Sequence, residues 1–150
     1  MKNTVKVNAK KLTPKAIMPT YGSAYAAGAD LYACLDGVEL TVQPHQTALV
    51  HTGIAMEIPE GLVGLVYARS GLASKRNLAP ANKVGVIDSD YRGEIMVALH
   101  NHGETAQTVS DGERIAQLVL MPYVTAEYEE VTELSSTVRG EGGFGSTGTK

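Results

Sequence analysis

Leu62-Val63-Gly64-Leu65-Val66-Tyr67 is apolar from end to end. A run of this length, between Pro59-Glu60-Gly61 and Ala68-Arg69-Ser70-Gly71, predicts a central strand buried on both faces. Arg114-Ile115-Ala116-Gln117-Leu118-Val119-Leu120 reads the same way, except that its two polar residues need a reason. Gln117 in such a strand must find hydrogen-bond partners or cost about 1–3 kcal/mol. Outward from these runs the apolar residues alternate in short pieces: Val5 and Val7, then Val38, Leu40 and Val42, then Ile95, Val97 and Leu99. Turn signals divide them at Asp36-Gly37, Pro59-Glu60-Gly61, Asn101-His102-Gly103 and Asp111-Gly112. Short, closely spaced period-2 pieces predict an all-β fold, a sandwich or barrel. One segment reads as helix, residues 70–79, opening on Ser70 as N-cap and stopping before Pro80.

The chain has 150 residues, one domain's worth, and 43% of them are apolar, so a real core can form. A net charge of −3 argues against a general nucleic-acid binder, which would show a basic patch or stripe. Any anion site must then be built locally from a few arginines and backbone N–H groups. Cys34 is the only cysteine, which rules out an intrachain disulfide and fits a reducing compartment; it reads as a small buried hydrophobe. No apolar leader follows Met1, and nowhere are there 18 consecutive apolar residues. The expectation is a cytoplasmic protein with no membrane segment. Residues 1–138 read as a β domain and residues 139–150 as a flexible arm. That arm holds five glycines, Arg139 and Phe144, the only phenylalanine of the chain. A flat ring among glycines and small hydroxyls suits a ligand with a planar base and a phosphate tail, with the arm ordering as the ligand arrives.

Five stretches break the local rules. Ala27-Gly28-Ala29-Asp30-Leu31-Tyr32-Ala33 reads alone as a glycine turn entering a strand, with Asp30 as a turn residue. In Tyr67-Ala68-Arg69-Ser70-Gly71-Leu72-Ala73 a strand runs into the helix, and Arg69 and Ser70 add a guanidinium and a hydroxyl to its free N–H groups. An N-cap serine beside a solvated arginine is the plainer alternative. A serine-hydrolase elbow is excluded, because Ala68 and Leu72 stand where that turn needs glycine. Asn82-Lys83-Val84-Gly85-Val86-Ile87-Asp88-Ser89-Asp90-Tyr91-Arg92-Gly93-Glu94 reads as a strand running into a hairpin tip. Asp88, at the edge of the core, is placed to orient or deprotonate a water, while Asp-x-Asp admits a metal site or a plain β-turn. Gly112-Glu113-Arg114-Ile115-Ala116-Gln117-Leu118 carries the strand glutamine. The fifth stretch, the arm, is not a Walker A loop, because Thr149 stands where lysine must be. His100 and His102 fall in a loop without a third ligand nearby, which disfavours a metal there.

In this order and spacing the five stretches resemble the five motifs of the trimeric deoxyuridine triphosphate nucleotidohydrolases (dUTPases), from Ala27 to Gly148. The chain departs at Ala68, where many members carry proline. The resemblance implies a distorted jelly-roll subunit, a β-sandwich-like barrel with one short helix and a flexible C-terminal arm. It implies a homotrimer with shared sites, each closed by the arm of one chain. It implies hydrolysis of dUTP to dUMP and pyrophosphate by water attacking the α-phosphorus with Mg²⁺, which limits uracil in DNA and supplies dUMP for thymidylate synthesis. Asp88 then corresponds to the carboxylate that positions the water, and Tyr91 to the ring under the deoxyribose that leaves no room for a 2′-hydroxyl. Asn82 and the strand holding Val84, Gly85 and Ile87 correspond to the reader of the uracil edge. Arg69, Ser70, Gly71 and Gln117 correspond to the phosphate cradle, and Asp30 to the acid that reaches the metal through water. Arg139, Ser146 and Thr147 correspond to the γ-phosphate clamp, and Phe144 with Gly145 to the lid over the base. A dCTP deaminase shares the architecture and releases ammonia instead of pyrophosphate; a nucleotide-binding regulatory module would release neither.

Overall fold

Residues 62–67 do form a central strand of the largest sheet in the computed structural model, which describes residues 4–143. In chain order the strands are β1 (Asn8–Lys11), β2 (Thr20–Tyr21), β3 (Ala29–Tyr32), β4 (Leu40–Val42), β5 (Thr47–Val50), β6 (Ile54–Glu57) and β7 (Leu62–Tyr67). One helix, α1 (Ser70–Arg76), follows. Then come β8 (Leu78–Pro80), β9 (Val84–Ile87), β10 (Val97–Asn101), β11 (Gln107–Val109) and β12 (Arg114–Pro122). The largest sheet runs β2-β3-β12-β7-β9, a second runs β5-β10-β8, and β1-β6 and β11-β4 form two-stranded pieces. Every pairing is antiparallel. The result is an all-β jelly roll with one short helix.

The core lies between the sheets, where Leu31, Val50, Ile54, Leu78, Leu99 and Ile115 are fully buried. Each such side chain contributes about 1.5–3 kcal/mol by leaving water. No helix among the described residues is long and apolar enough to cross a membrane.

The strand expected to be buried on both faces is buried on one. Gly64 and Val66 point into the core, whereas Val63 and Leu65 are half-buried and Tyr67 is exposed. The same outer face carries Val84 and Val86 from β9 and Val119 and Met121 from β12, so an apolar strip is left only partly covered by the described residues. The helix is shorter than its pattern suggested. Asn77 adopts a left-handed conformation (φ 54°) and its N–H bonds to Leu72 O, which ends α1. Leu78–Pro80 then pairs with β10, so the ladder outweighs local helical preference. Arg69, in extended conformation, occupies the cap position, and Ser70 is the first helical residue.

Asn101 was read as a turn residue and is instead a fully buried strand residue. Its Nδ2 donates to Val42 O at 3.0 Å and Thr105 O at 2.8 Å, and its Oδ1 accepts from Gly103 N at 2.9 Å. A buried amide so fully used pins β10 to β4 and to the loop that follows. Val5 and Val7 precede β1, which finds its ladder partner β6 only from Asn8 onward. Val38 likewise precedes β4. Cys34 is half-buried; burial, then Asp111 and Asp36, push its thiol pKa up.

Candidate active site

Sheet order sets the first part of the site. Strands β3, β12 and β7 lie side by side, so Asp30, Gln117 and Tyr67 share one row, which continues to Val84 on β9. Asp30 is 8% exposed, and a carboxylate so buried needs partners. It has two. Arg69 Nε donates to Oδ1 at 2.8 Å, and Arg114 Nη1 donates to Oδ2 at 3.3 Å. Two guanidiniums around one carboxylate leave a net positive charge at the mouth of the row. Gln117 Nε2 donates to Ala68 O at 2.9 Å, and so holds the turn that delivers Arg69 and Ser70. Thus the two polar residues of β12 have their reasons: one answers Asp30, the other a backbone carbonyl.

Gly28 lies under Gln117; a Cβ there would stand 2.6 Å from Gln117 Oε1. Ser70 and Gly71 are exposed at the head of α1, and a Cβ on Gly71 would meet open space. The site residues that the sequence reading left out are Arg114 and Gly28. The signal for the first was a charged residue at the start of an apolar strand; the second was read only as the glycine turn entering β3.

The second part lies along β9, which is the edge of its sheet. Its free edge borders a groove of about 330 Å³ lined also by Asn82, Asp88, Tyr91, Met96 and Ala98. Unpaired strand groups there offer N–H donors and C=O acceptors to a planar ligand. Gly85 is buried, and a Cβ on it would lie 3.2 Å from Asn82 Nδ2. The segment after Ile87 is not a hairpin tip. β9 pairs with β7, β10 pairs with β5 and β8, and residues 88–93 cross from one sheet to the other. Asp88 is exposed, and its carboxylate makes no hydrogen bond or ion pair with another described residue. A turn closed by Tyr91 N to Asp88 O at 3.2 Å joins it to Tyr91. Arg92 Nη1 folds back onto Ser89 O at 2.7 Å.

No group of three His, Cys, Asp or Glu side chains able to hold a metal occurs among the described residues. His100 lies in β10, with its Nδ1 2.8 Å from Thr47 Oγ1 and its ring against His102. The oxygens of Asp30 are of the type that a hydrated cation takes. Each of its oxygens has one guanidinium partner and keeps lone-pair capacity for a metal-bound water, while direct coordination would compete with Arg69 and Arg114.

The chain brings Asp30, Arg69, Ser70 and Gln117 together, and separately Asn82, Val84, Gly85, Ile87, Asp88 and Tyr91. It does not bring the two groups onto one point. Val84 is in the row of Gln117, whereas Ile87 pairs with Gly64. Asp88 is therefore about 13 Å along the strand from that row, at about 3.3 Å per residue. Arg69 continues the opposite way, beyond Tyr67. Arg139 lies far out on an exposed segment, where its Nε donates to Gly142 O at 2.8 Å. Phe144, Gly145, Ser146 and Thr147 lie outside the described residues.

The dUTPase family profile matches residues 14–148, and the chain belongs to that family. It is 50% identical over 145 residues to the deoxyuridine 5'-triphosphate nucleotidohydrolase of Syntrophotalea carbinolica, covering 97% of this chain and 98% of that one. It is 52% identical to the enzyme of that name from Desulfitobacterium hafniense, again over 97% and 98% of the two chains. Among solved structures it is similar to the Staphylococcus bacteriophage 80alpha dUTPase with dUpNHpp. The TM-score is 0.87 at 32% identity, over 97% of this chain and 99% of that one. A mutant dUTPase of the S. aureus phage phi11, described as coordinating a structural Mg(II) ion, superposes at a TM-score of 0.76. Identity there is 26%, over 86% of this chain and 98% of that one.

Proposed function

We propose that this chain hydrolyses dUTP to dUMP and pyrophosphate. The observation that carries the reading is the state of Asp88: an exposed carboxylate with no partner among the described residues, at the rim of a groove sized for a nucleoside. Such a group is free to hold a water by hydrogen bond and to take its proton as the oxygen attacks. The new bond joins that oxygen to the α-phosphorus, the bond to the bridging oxygen breaks, and pyrophosphate leaves. Phosphoryl transfer asks mainly for alignment and for charge against the phosphate oxygens. Arg69, with Arg114 beside it, supplies the charge; Ser70, Gly71 and Gln117 line the cradle.

Asn82 and the free edge at Val84, Gly85 and Ile87 read the uracil. A wrong base there leaves polar groups unpaired, which costs far more than a missing methylene contact. The Tyr91 ring under the sugar excludes a 2′-hydroxyl by shape. Bound to the triphosphate, Mg²⁺ would supply neutralising charge against the phosphate oxygens, and Asp30 is the residue that would hold it, through water.

The active assembly is a homotrimer with shared sites. Two features support it. The gap between Asp88 and the Arg69–Gln117 row asks for a second chain to bring them onto one phosphate. The partly covered strip at Val63, Leu65, Val86 and Met121 asks for a further cover. Residues 139–150 then act as the arm over the site, with Arg139, Ser146 and Thr147 on the γ-phosphate and Phe144 with Gly145 over the base. The product dUMP, available for thymidylate synthesis, and the lowered dUTP level belong to a cytoplasmic setting, which one unpaired cysteine fits.

The test is pyrophosphate release from dUTP, dCTP, dTTP and UTP with Mg²⁺, with ammonia followed in parallel. Release from dUTP alone is the expected result. Ammonia from dCTP, or dUTP binding without pyrophosphate, contradicts the reading.

A further inference from the structure

Tyr91 stands on an exposed loop, yet its ring has one defined place. The hydroxyl donates to the main-chain carbonyl of Glu94 at 2.9 Å, so the ring folds back over Gly93. A Cβ at position 93 would lie 2.6 Å from Cζ and 2.9 Å from Cε2 of that ring. Gly93 does not have a positive φ, so the backbone does not require glycine there; the ring does. Glu94 is held from the other side. Its Oε1 accepts from Gly53 N at 2.7 Å, and its Oε2 lies 2.8 Å from His51 Nδ1. Glu94 also bridges to Ala55, and Ile95 N donates to Ile54 O at 2.8 Å. Gly53 itself has φ +68°, and a Cβ on it would come within 2.7 Å of Ala16 Cβ, so this anchor is fixed by the core. A continuous line of contacts runs from the core through Gly53 and His51 to Glu94, and from Glu94 to the ring.

We propose that Gly93, Glu94 and His51 are positioning residues that set the height of the Tyr91 ring and thereby the discrimination against a nucleotide 2′-hydroxyl. This rests on the reading of Tyr91 as the surface under the sugar. A shape filter is only as sharp as its wall is fixed, and a displacement well under 1 Å changes what fits. Because Tyr91 N also closes the turn on Asp88 O, the brace ties the sugar wall to the water-holding carboxylate.

The experiment measures kcat and KM for dUTP and UTP with Mg²⁺, on the full chain and on Gly93→Ala, Tyr91→Phe, Glu94→Ala and Glu94→Gln. In Gly93→Ala the atoms in the way are the far end of one side chain, so the ring swings aside and the fold persists. The ratio of kcat/KM for dUTP over UTP is expected to fall about tenfold, mostly through KM. Tyr91→Phe removes one hydroxyl and no packing, and its ratio falls in the same direction. Glu94→Ala follows, and Glu94→Gln restores the ratio because the amide oxygen still accepts from Gly53 N. A ratio unchanged in Gly93→Ala and Tyr91→Phe, with both nucleotides slowed equally, overturns the inference. If the parent releases no pyrophosphate from dUTP, the reading of the function fails. The brace is then judged on the affinity ratio of dUMP over UMP in the same variants, which must fall or overturn it.

Discussion

Asp30 and Asp88 are two carboxylates near opposite corners of one sheet, and the chain treats them in opposite ways. Asp30 is buried and held by two guanidiniums. Asp88 is exposed, and its carboxylate has no partner among the described residues. On the proposed function, one fold keeps one acid as structure and another as reagent. A buried acid whose ion pairs are already formed organises the arginines around it. An acid that must handle a water has to keep its oxygens unspent.

Substitutions at the two corners sharpen the contrast. The largest effect is expected from Asp88→Asn. Turnover of dUTP should fall about 10³-fold or more, as loss of a general base does, while nucleotide affinity and the melting temperature stay close to the parent's. Unchanged turnover would remove Asp88 from the chemistry. Arg69→Gln should lower turnover and stability together. Asp30 then keeps only its longer contact to Arg114, and a partly unpaired buried acid costs about 1–3 kcal/mol. A variant as stable as the parent would mean that Asp30 does not depend on Arg69.

Gly28→Ala drives a methyl into Gln117 Oε1, which loosens the Ala68 carbonyl and the Arg69–Ser70 turn behind it. About a tenfold loss of kcat/KM with little change in fold is expected, because the neighbour that must move is a flexible amide. An equal kcat/KM would separate Gln117 from the cradle.

The smallest effect concerns Glu94. Burial pushes its pKa up, but the His51 hydrogen bond and the backbone N–H groups of Gly53 and Thr52 outweigh burial and hold it below its ordinary value of 4.5. A carboxyl with a lowered folded pKa adds stability above its unfolded pKa and loses it as pH falls through the folded one. The stability gap between the parent and Glu94→Gln should therefore be full at neutral pH, about 1 kcal/mol, and close below about pH 4 in thermal unfolding. A gap that widens with acid would reverse the sign and refute the assignment.

How much of this could be read from residues alone depended on range. The strands at Leu62–Tyr67 and Arg114–Pro122 were legible because their apolar runs are local facts. Gln117 and Arg114 could be marked as needing partners, since a polar group in an apolar strand always does. Which partners they find could not be read. Asp30 meets Arg69 and Arg114 because β3, β12 and β7 become neighbours, and that order arises from distant parts of the chain. The end of α1 was misread for the same reason. Leu78 and Ala79 suit a helix, and only the ladder with β10 makes them a strand. Asn101 looked like a turn residue because Gly103 and Thr105 are its local partners, while the bond to Val42 O that ties it to β4 comes from far away in sequence. Asp88 and Tyr91 were legible as a pair, being three residues apart. The Glu94 brace was not, because Gly53 and His51 lie 41 and 43 residues away in sequence.

On the proposed function, Asp88 of one protomer serves the arginine row of another. Asp88→Asn and Arg69→Gln chains, each inactive alone, are unfolded together, refolded as a one-to-one mixture and assayed for pyrophosphate release from dUTP. Random assembly gives each site an intact Asp88 and an intact Arg69 from different chains in about one case in four, so about a quarter of the parent's activity should return. A mixture that assembles into mixed oligomers by mass yet stays as inactive as its components would place both groups in the same chain and contradict the account.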